Sequence, residues 1–227
     1  VQQLMIALEA SESTIRRDLN SLAEKGLLIK VHGGAIANKP VIRTHDDDVE
    51  ERKRRNTEEK LRIAKYAARL IEPEDFVYLD AGTTTELMID FIEARQAVFV
   101  TNAISHAKKL ADRGFKVYIL GGEFKSVTEA IVGEEAVETL NKYNFTKGFW
   151  GTNGVDAQSG FTTPDVKEAM VKKKSMEHCK ERYILADASK FTQISSVKFA
   201  ELEKATILTT AAPRKPLEKY KNIKEVK

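Results

Sequence analysis

Cysteine is nearly absent from the sequence. Cys179 is the single one in 227 residues, so no disulfide can close within the chain, and the four scattered histidines form neither a C-x-x-C nor an H-E-x-x-H spacing. No metal and no organic cofactor is therefore expected. Long apolar runs are also lacking: nothing approaches the roughly 18–20 residues a membrane span needs, and the opening residues do not follow the basic-then-apolar order of a secretory signal. The reading is a soluble, cytoplasmic protein with no membrane contact. An excess of one charge is missing too, since 37 Lys and Arg stand against 34 Asp and Glu, a formal net charge of +3. Bulk charge thus does not announce a nucleic-acid partner, and within residues 1–35 Arg16, Arg17, Lys25 and Lys30 are balanced by Glu9, Glu12, Asp18 and Glu24. Any argument for DNA rests on where the charges lie.

What is present suffices for a substantial core. With 42% hydrophobic residues over this length, one large domain accompanied by a small one is the natural expectation. The chain enters at Val1 directly into a helical pattern, Leu4, Met5 and Leu8, as though partway into a domain. Ser11 is placed as an N-cap, because its hydroxyl can accept from the unpaired amides of the helix that follows. Ile15, Leu19, Leu22 and Ala23 then recur at helical spacing, and Gly26 is the expected stop. Two short helices joined by a tight turn are the helix-turn-helix plan, with Ser13, Thr14, Arg16, Arg17 and Asn20 available on the second helix. Leu27 to Ile36 follows as a hairpin around Gly33-Gly34, a wing that carries Lys30 and His32. In such a module the second helix enters the major groove, the arginines and wing residues hold phosphates, and Arg16 or Arg17 can read guanine. Spacing alone fits equally well a plain amphipathic helix pair whose arginines are merely solvated.

The string Ser11-Glu-Ser-Thr-Ile-Arg-Arg-Asp-Leu19, with Gly26-Leu-Leu and Val31-His-Gly-Gly34 after it, closely resembles the signature of the DeoR family of bacterial transcription regulators. The resemblance implies a winged helix-turn-helix over residues 1–36 whose partner is operator DNA. It also implies that one helix found at the start of the family's domain is missing here.

Residues 37–56 hold Pro40, the acidic Asp46-Asp47-Asp48 and the basic Arg52-Lys53-Arg54-Arg55, without a hydrophobic period. They read as a charged linker, with contact of the basic run to a DNA backbone as the lesser alternative. From residue 57 to 227 helix-like and strand-like segments alternate, the pattern of an α/β domain with a mainly parallel sheet. Strands are expected at 76–79, 97–100, 117–120, 145–150, 183–186 and 205–208, with helices near 84–93, 104–113, 132–141 and 164–178. Ligands of such sheets bind beyond the carboxyl ends of the strands, and the loops there are polar. Asp80-Ala81-Gly82-Thr83-Thr84-Thr85 leads into a helix, a candidate phosphate cradle. Thr101-Asn102 and Gly151-Thr152-Asn153-Gly154 offer polar contacts, Gly121-Gly122 permits close backbone approach, and Lys190 supplies a cation. Each alone is an ordinary turn, cap or solvated side chain. Four at equivalent strand ends point to a phosphorylated small molecule.

The DeoR resemblance continues through Glu59-Lys60, Leu79-Asp-Ala-Gly-Thr-Thr-Thr85, Thr101-Asn-Ala103, Leu120-Gly-Gly122 and Ala186-Asp-x-Ser-Lys-Phe191. It implies a Rossmann-like effector domain similar to ribose-5-phosphate isomerase, with Lys60, the Gly82–Thr85 loop and Lys190 around the phosphate and the sugar reaching toward Asn102 and residues 151–154. It further implies a symmetric homo-oligomer. Finer similarity, in Met88-Ile-Asp-Phe91, Gly151-Thr-Asn-Gly-Val155, Gly160-Phe-Thr-Thr-Pro-Asp165 and Ile194 to Phe199, is to repressors of fructose operons and implies fructose 1-phosphate as effector. The rival is a sugar-phosphate isomerase. Such an enzyme needs a positioned base, and the loop where isomerases carry aspartates here reads Gly-Thr-Asn-Gly. Asp156, Asp165 and Glu168 lie close behind as substitutes, yet each fits a turn or a helix start equally well. Trp150 is expected to pack beside the sheet, Cys179, His106 and His178 to sit on helices, and Lys215–Lys227 to form a solvated last segment.

Overall fold

The computed structural model describes residues 1–24, 28–31, 34–37, 42–213, 217 and 220–226. They fall into two compact units, one reaching residue 37 and the other beginning at Ile42.

In the first unit α1 (Gln2–Leu8) ends at Glu9, whose left-handed backbone (φ 48°) turns the chain sharply while its amide and that of Ala10 donate to the Met5 carbonyl. The Ser11 hydroxyl accepts from the Thr14 amide at 3.3 Å, capping α2 (Glu12–Glu24) as its residue type requires. Ile15 and Leu19 are buried, whereas Leu22 stands 37% exposed and so lies off that apolar side. β1 (Leu28–Val31) and β2 (Gly34–Ala37) pair antiparallel, Leu28 opposite Ala37 and Val31 opposite Gly34. The expected stop at Gly26, the turn residues His32 and Gly33, and the Lys30 side chain lie outside the described residues.

The second unit begins with β3 (Ile42–Arg43), α3 (Val49–Arg54), α4 (Thr57–Ala68), β4 (Phe76–Leu79) and α5 (Thr83–Met88). It continues with β5 (Val98–Thr101), α6 (Ile104–Asp112), β6 (Lys116–Ile119), β7 (Glu123–Lys125), β8 (Ala130–Val132) and α7 (Glu134–Leu140). Next come β9 (Phe145–Gly151), β10 (Gly154–Asp156), β11 (Gly160–Thr163), α8 (Val166–Glu177) and β12 (Cys179–Leu185). β13 (Ile194–Ser195), β14 (Val197–Ala200), β15 (Thr206–Thr209) and β16 (Ile223–Glu225) complete it.

Among the described residues seven strands form one sheet in the order β16-β15-β12-β9-β4-β5-β6, parallel throughout. Its central strands β4 and β5 are near-continuous apolar runs because helices cover both faces. Successive residues of β4 divide between the two faces as the pleat demands. Tyr78 joins Trp150, Ile184 and Ile207 under Ala136 and Leu140 of α7 and Val171 and Met176 of α8. Val77 and Leu79 join Phe99, Phe149 and Leu208 under Ile63 and Ala67 of α4, Met88 of α5 and Leu110 of α6. Trp150 is fully buried and donates its indole N–H to the Ser175 hydroxyl at 2.9 Å. Gly148, two residues earlier on the same face, makes room for it: a Cβ there would stand 2.2 Å from the indole ring.

Three segments differ from expectation. From Ile42 the stretch read as a charged linker is built into the second unit, β3 pairing with β13 and Asp48 capping α3. Two of its arginines are engaged locally, Asp47 accepting from both Arg43 (2.8 Å) and Arg55 (2.7 Å). Cys179 opens β12 rather than lying on a helix, because strand pairing begins immediately beyond α8. The last segment is not simply solvated: β16 extends the sheet beside β15, and Leu217 and Val226 are buried. No described helix is long and apolar enough to cross a membrane.

Candidate functional site

On the first unit, Ser13, Arg16, Arg17 and Asn20 are exposed on α2 and Thr14 is half-buried. Arg16 pairs with Glu12 one turn earlier at 2.6 Å. An exposed pair of this kind is worth only about 0–1 kcal/mol, so it holds the guanidinium weakly.

On the second unit the polar loops leaving β4, β5 and β9 meet. The Asp80 carboxylate, completely buried, accepts from the Gly151 amide at 3.1 Å and from the Lys172 ammonium on α8. Asn102 is 2% exposed; its Oδ1 accepts from the Ala81 amide (2.9 Å) and its Nδ2 donates to the Ile131 carbonyl (3.2 Å). Thr85 is held between the Asp80 and Gly82 carbonyls and the Nε2 of His106. Burial pushes that imidazole down to about 3, with Lys109 adding to the effect, so it is neutral. Thr101 accepts from the Ala103 amide, and Thr152 donates to the Gly154 and Thr162 carbonyls. Thr83 and Thr84 are buried at the start of α5. The clearance at Gly122 (φ 138°) is filled by the Val132 carbonyl, which a Cβ would meet at 2.6 Å, while Gly121 faces open space. The side chains of Asn102 and Asp80 thus bind the loops to one another, whereas Thr101 bonds within its own loop.

Lys60 and Lys190 meet in a separate cavity of about 190 Å³. Its lining combines Arg43 of β3, Arg52 of α3, Arg55, Asn56 and Lys60 of α4 with Asp47, Asp187, Ser189, Lys190 and Gln193, and does not include the Gly82–Thr85 loop. Five cationic side chains face two carboxylates there. Asp47 is engaged by Arg43 and Arg55, and Asp187 accepts from the Asn56 amide at 2.8 Å. Among the described residues no carboxylate lies within ion-pair reach of Lys60 or Lys190. Burial pushes the Lys60 ammonium down to about 8; Asp187 opposes this, while Lys190, Arg52 and Arg55 reinforce it. Lys190 is lowered in the same way, burial first. The lining thus carries more positive than negative charge. Arg43, Arg52 and Arg55 were visible in the sequence only as charges of a supposed linker.

A second cluster, also missed, joins Asp46 to this region. Lys125 of β7 contacts Asp46 (2.6 Å), Asp165 (3.2 Å) and Glu168 (3.1 Å), and Asn153 donates to Asp46 at 3.2 Å. The three carboxylates weighed as bases are all occupied. Asp156 accepts from the amides of Gln158 and Ser159, and Asp165 caps α8 through the Glu168 amide. Burial raises Glu168, but Lys172 and Lys125 outweigh it and hold the carboxyl below its usual value, which makes it a weaker proton acceptor. Among the described residues no His, Cys, Asp and Glu grouping fits a metal ion.

A helix-turn-helix with a hairpin wing, joined in one chain to an α/β unit that holds a cation-lined cavity, defines a transcription regulator with a sensor domain. The DeoR-like helix-turn-helix domain matches residues 1–41 and the DeoR C-terminal sensor domain matches residues 55–212. The chain is 45% identical over 228 residues to the uncharacterized HTH-type transcriptional regulator FruR of Bacillus subtilis, spanning all of this chain and 90% of that one. It is 34% identical over 213 residues to the lactose phosphotransferase system repressor of Streptococcus mutans, covering 92% and 84%. The protein belongs to the DeoR family of transcription regulators. Among solved structures, ribose 5-phosphate isomerase A of Methanocaldococcus jannaschii overlaps 60% of this chain and 55% of its own, at 17% identity and a TM-score of 0.45. The delta subunit of eIF2B from Chaetomium thermophilum gives 65%, 58%, 15% and 0.45. Neither likeness bears on what this chain binds.

Proposed function

We propose that the chain is a repressor of a sugar-utilisation operon, binding operator DNA as a homo-oligomer and released by a phosphorylated sugar, with fructose 1-phosphate the favoured effector. The cavity of Lys60, Lys190 and three arginines carries this reading, because its uncompensated positive charge calls for an anion of phosphoryl size. The similarity to a regulator named FruR favours a fructose phosphate over other sugars. Release requires that the effector bind one state of the protein better than the other, since equal affinity shifts nothing. The test is to enrich duplexes from a random-sequence pool on the full chain and follow bound DNA by fluorescence anisotropy. Fructose 1-phosphate should release the enriched duplex while unphosphorylated fructose does not. Failure to enrich any duplex, or release that ignores phosphorylated sugars, contradicts the proposal.

A further inference from the structure

The two edges of the seven-stranded sheet are unlike. β16 at one edge is three residues long, and two of them, Lys224 and Glu225, are charged and exposed, the usual guard against strand addition. β6 lies at the opposite edge, and among the described residues no strand pairs with its outer side. After Lys116 it presents Val117, Tyr118 and Ile119, with Tyr118 41% and Ile119 45% exposed. The Leu120 amide donates inward to the Thr101 carbonyl at 3.0 Å. Because backbone groups alternate along a strand, the N–H and C=O of Val117 and Ile119 point outward. Nothing flanking the strand blocks that edge: a Cβ at Gly114 or at Gly121 would meet no atom within 4 Å.

We infer that β6 pairs antiparallel with β6 of a second copy of this chain, about a two-fold axis through Tyr118, joining two seven-stranded sheets into one. The occupant follows from the edges themselves. With β16 guarded, the free edge that another molecule of this protein offers is again β6. Pairing like with like closes the contact at two copies, whereas β6 on β16 would propagate. In the register centred on Tyr118, Val117 of each copy exchanges both backbone bonds with Ile119 of the other, and the two Tyr118 residues meet as a non-hydrogen-bonded pair. Lys116, the one charge of the strand, then lies opposite Leu120 of the other copy and not opposite itself, so like charges do not meet. Two sensor units related by a two-fold match the symmetry of paired helix-turn-helix units on two half-sites. This inference rests on the homo-oligomer reading above and names the surface that serves it.

Oxidative cross-linking and sedimentation of the full chain test it. In a non-hydrogen-bonded antiparallel pair the Cα atoms stand about 4.5 Å apart, within the range a disulfide spans, and the native Cys179 is buried. Y118C should therefore form a covalent dimer under mild oxidation, while K224C on β16 should not. I119P removes an outward amide that bonds nothing within the subunit. It should raise the dissociation constant of the assembly at least about tenfold, since a backbone bond is lost on each side of the axis. Hydrogen exchange resolved to single amides needs no variant: Val117 and Ile119 should exchange more slowly in concentrated wild type than in dilute. A Y118C that stays uncrosslinked, a folded I119P that assembles as the wild type does, or Val117 and Ile119 amides whose exchange ignores concentration, overturns the edge pairing and leaves the homo-oligomer reading standing. A wild type that is monomeric at every concentration, with and without an enriched duplex, overturns both.

Discussion

The Lys60 ammonium, in the first turn of α4, donates to the backbone carbonyl of Arg52. One side chain thus ties the sensor sheet's leading helix to α3 and also supplies charge to the cavity. A group with two duties of this kind makes separable predictions.

Affinity for a sugar phosphate should depend on pH with a definite sign. Lys60 is lowered to about 8 by burial, so in the empty protein it loses its proton as pH rises through that value, whereas an anion beside it favours the charged form. Above about pH 7 the phosphoryl group is already largely a dianion. Binding should therefore weaken as pH rises from 7 to 9.5, and calorimetry in buffers of different ionisation enthalpy at pH 8 should show proton uptake. K60R, whose charge does not titrate, should flatten the profile.

The buried pair of Asp80 and Lys172 should be a structural requirement. Removing one partner from a buried ion pair costs about 3–5 kcal/mol because the other charge is stranded. K172M should lower unfolding stability in urea by that order. Asp80 also receives the Gly151 amide, so the variant should loosen the loop at residues 151–154 as well.

Ser175 is the acceptor for the indole of Trp150, the single tryptophan. S175A leaves a buried donor unmet, at about 1–3 kcal/mol. Because the ring has no other fluorescent competitor of its kind, the change should appear both in the denaturation midpoint and as a shift in tryptophan emission.

Arg16 and Arg17 should matter to DNA and not to sugar. R16A or R17A should weaken duplex binding, each reducing the slope of log affinity against log salt by about 1 where a phosphate contact is lost. Fructose 1-phosphate affinity should be unchanged. Equal loss of both activities would indicate damage to folding instead.

The central sheet was readable because its strands are apolar runs alternating with periodic helices: Phe76–Leu79 was expected and found over the same residues. β3 and α3 were not, since Val49–Arg54 carries five charges in six residues and Ile42–Arg43 is two residues long. No period can show in either. β16 was hidden likewise, because Ile-Lys-Glu lies at the sheet edge where only part of the strand is covered. In the site, Lys60 and Lys190 were legible through the family pattern. The place of Arg52 was not, because the β3–β13 pairing that turns it inward joins residues some 150 apart in the chain. Sequence spacing marked Asn102 and Thr85 as polar groups at strand ends but did not reveal their backbone partners.

The central claim is that this DeoR-family chain senses a phosphorylated sugar without transforming it. Thermal unfolding of the full chain with fructose 1-phosphate, fructose 6-phosphate, glycerol 3-phosphate, ribose 5-phosphate and fructose, with product assayed in the same tubes, tests it most directly. A ligand at about 100 times its dissociation constant adds roughly 2.7 kcal/mol of stability, a clear rise in melting temperature. The account predicts selective stabilisation by fructose 1-phosphate and no product. No stabilisation by any phosphorylated sugar, or conversion of one into another, would contradict it.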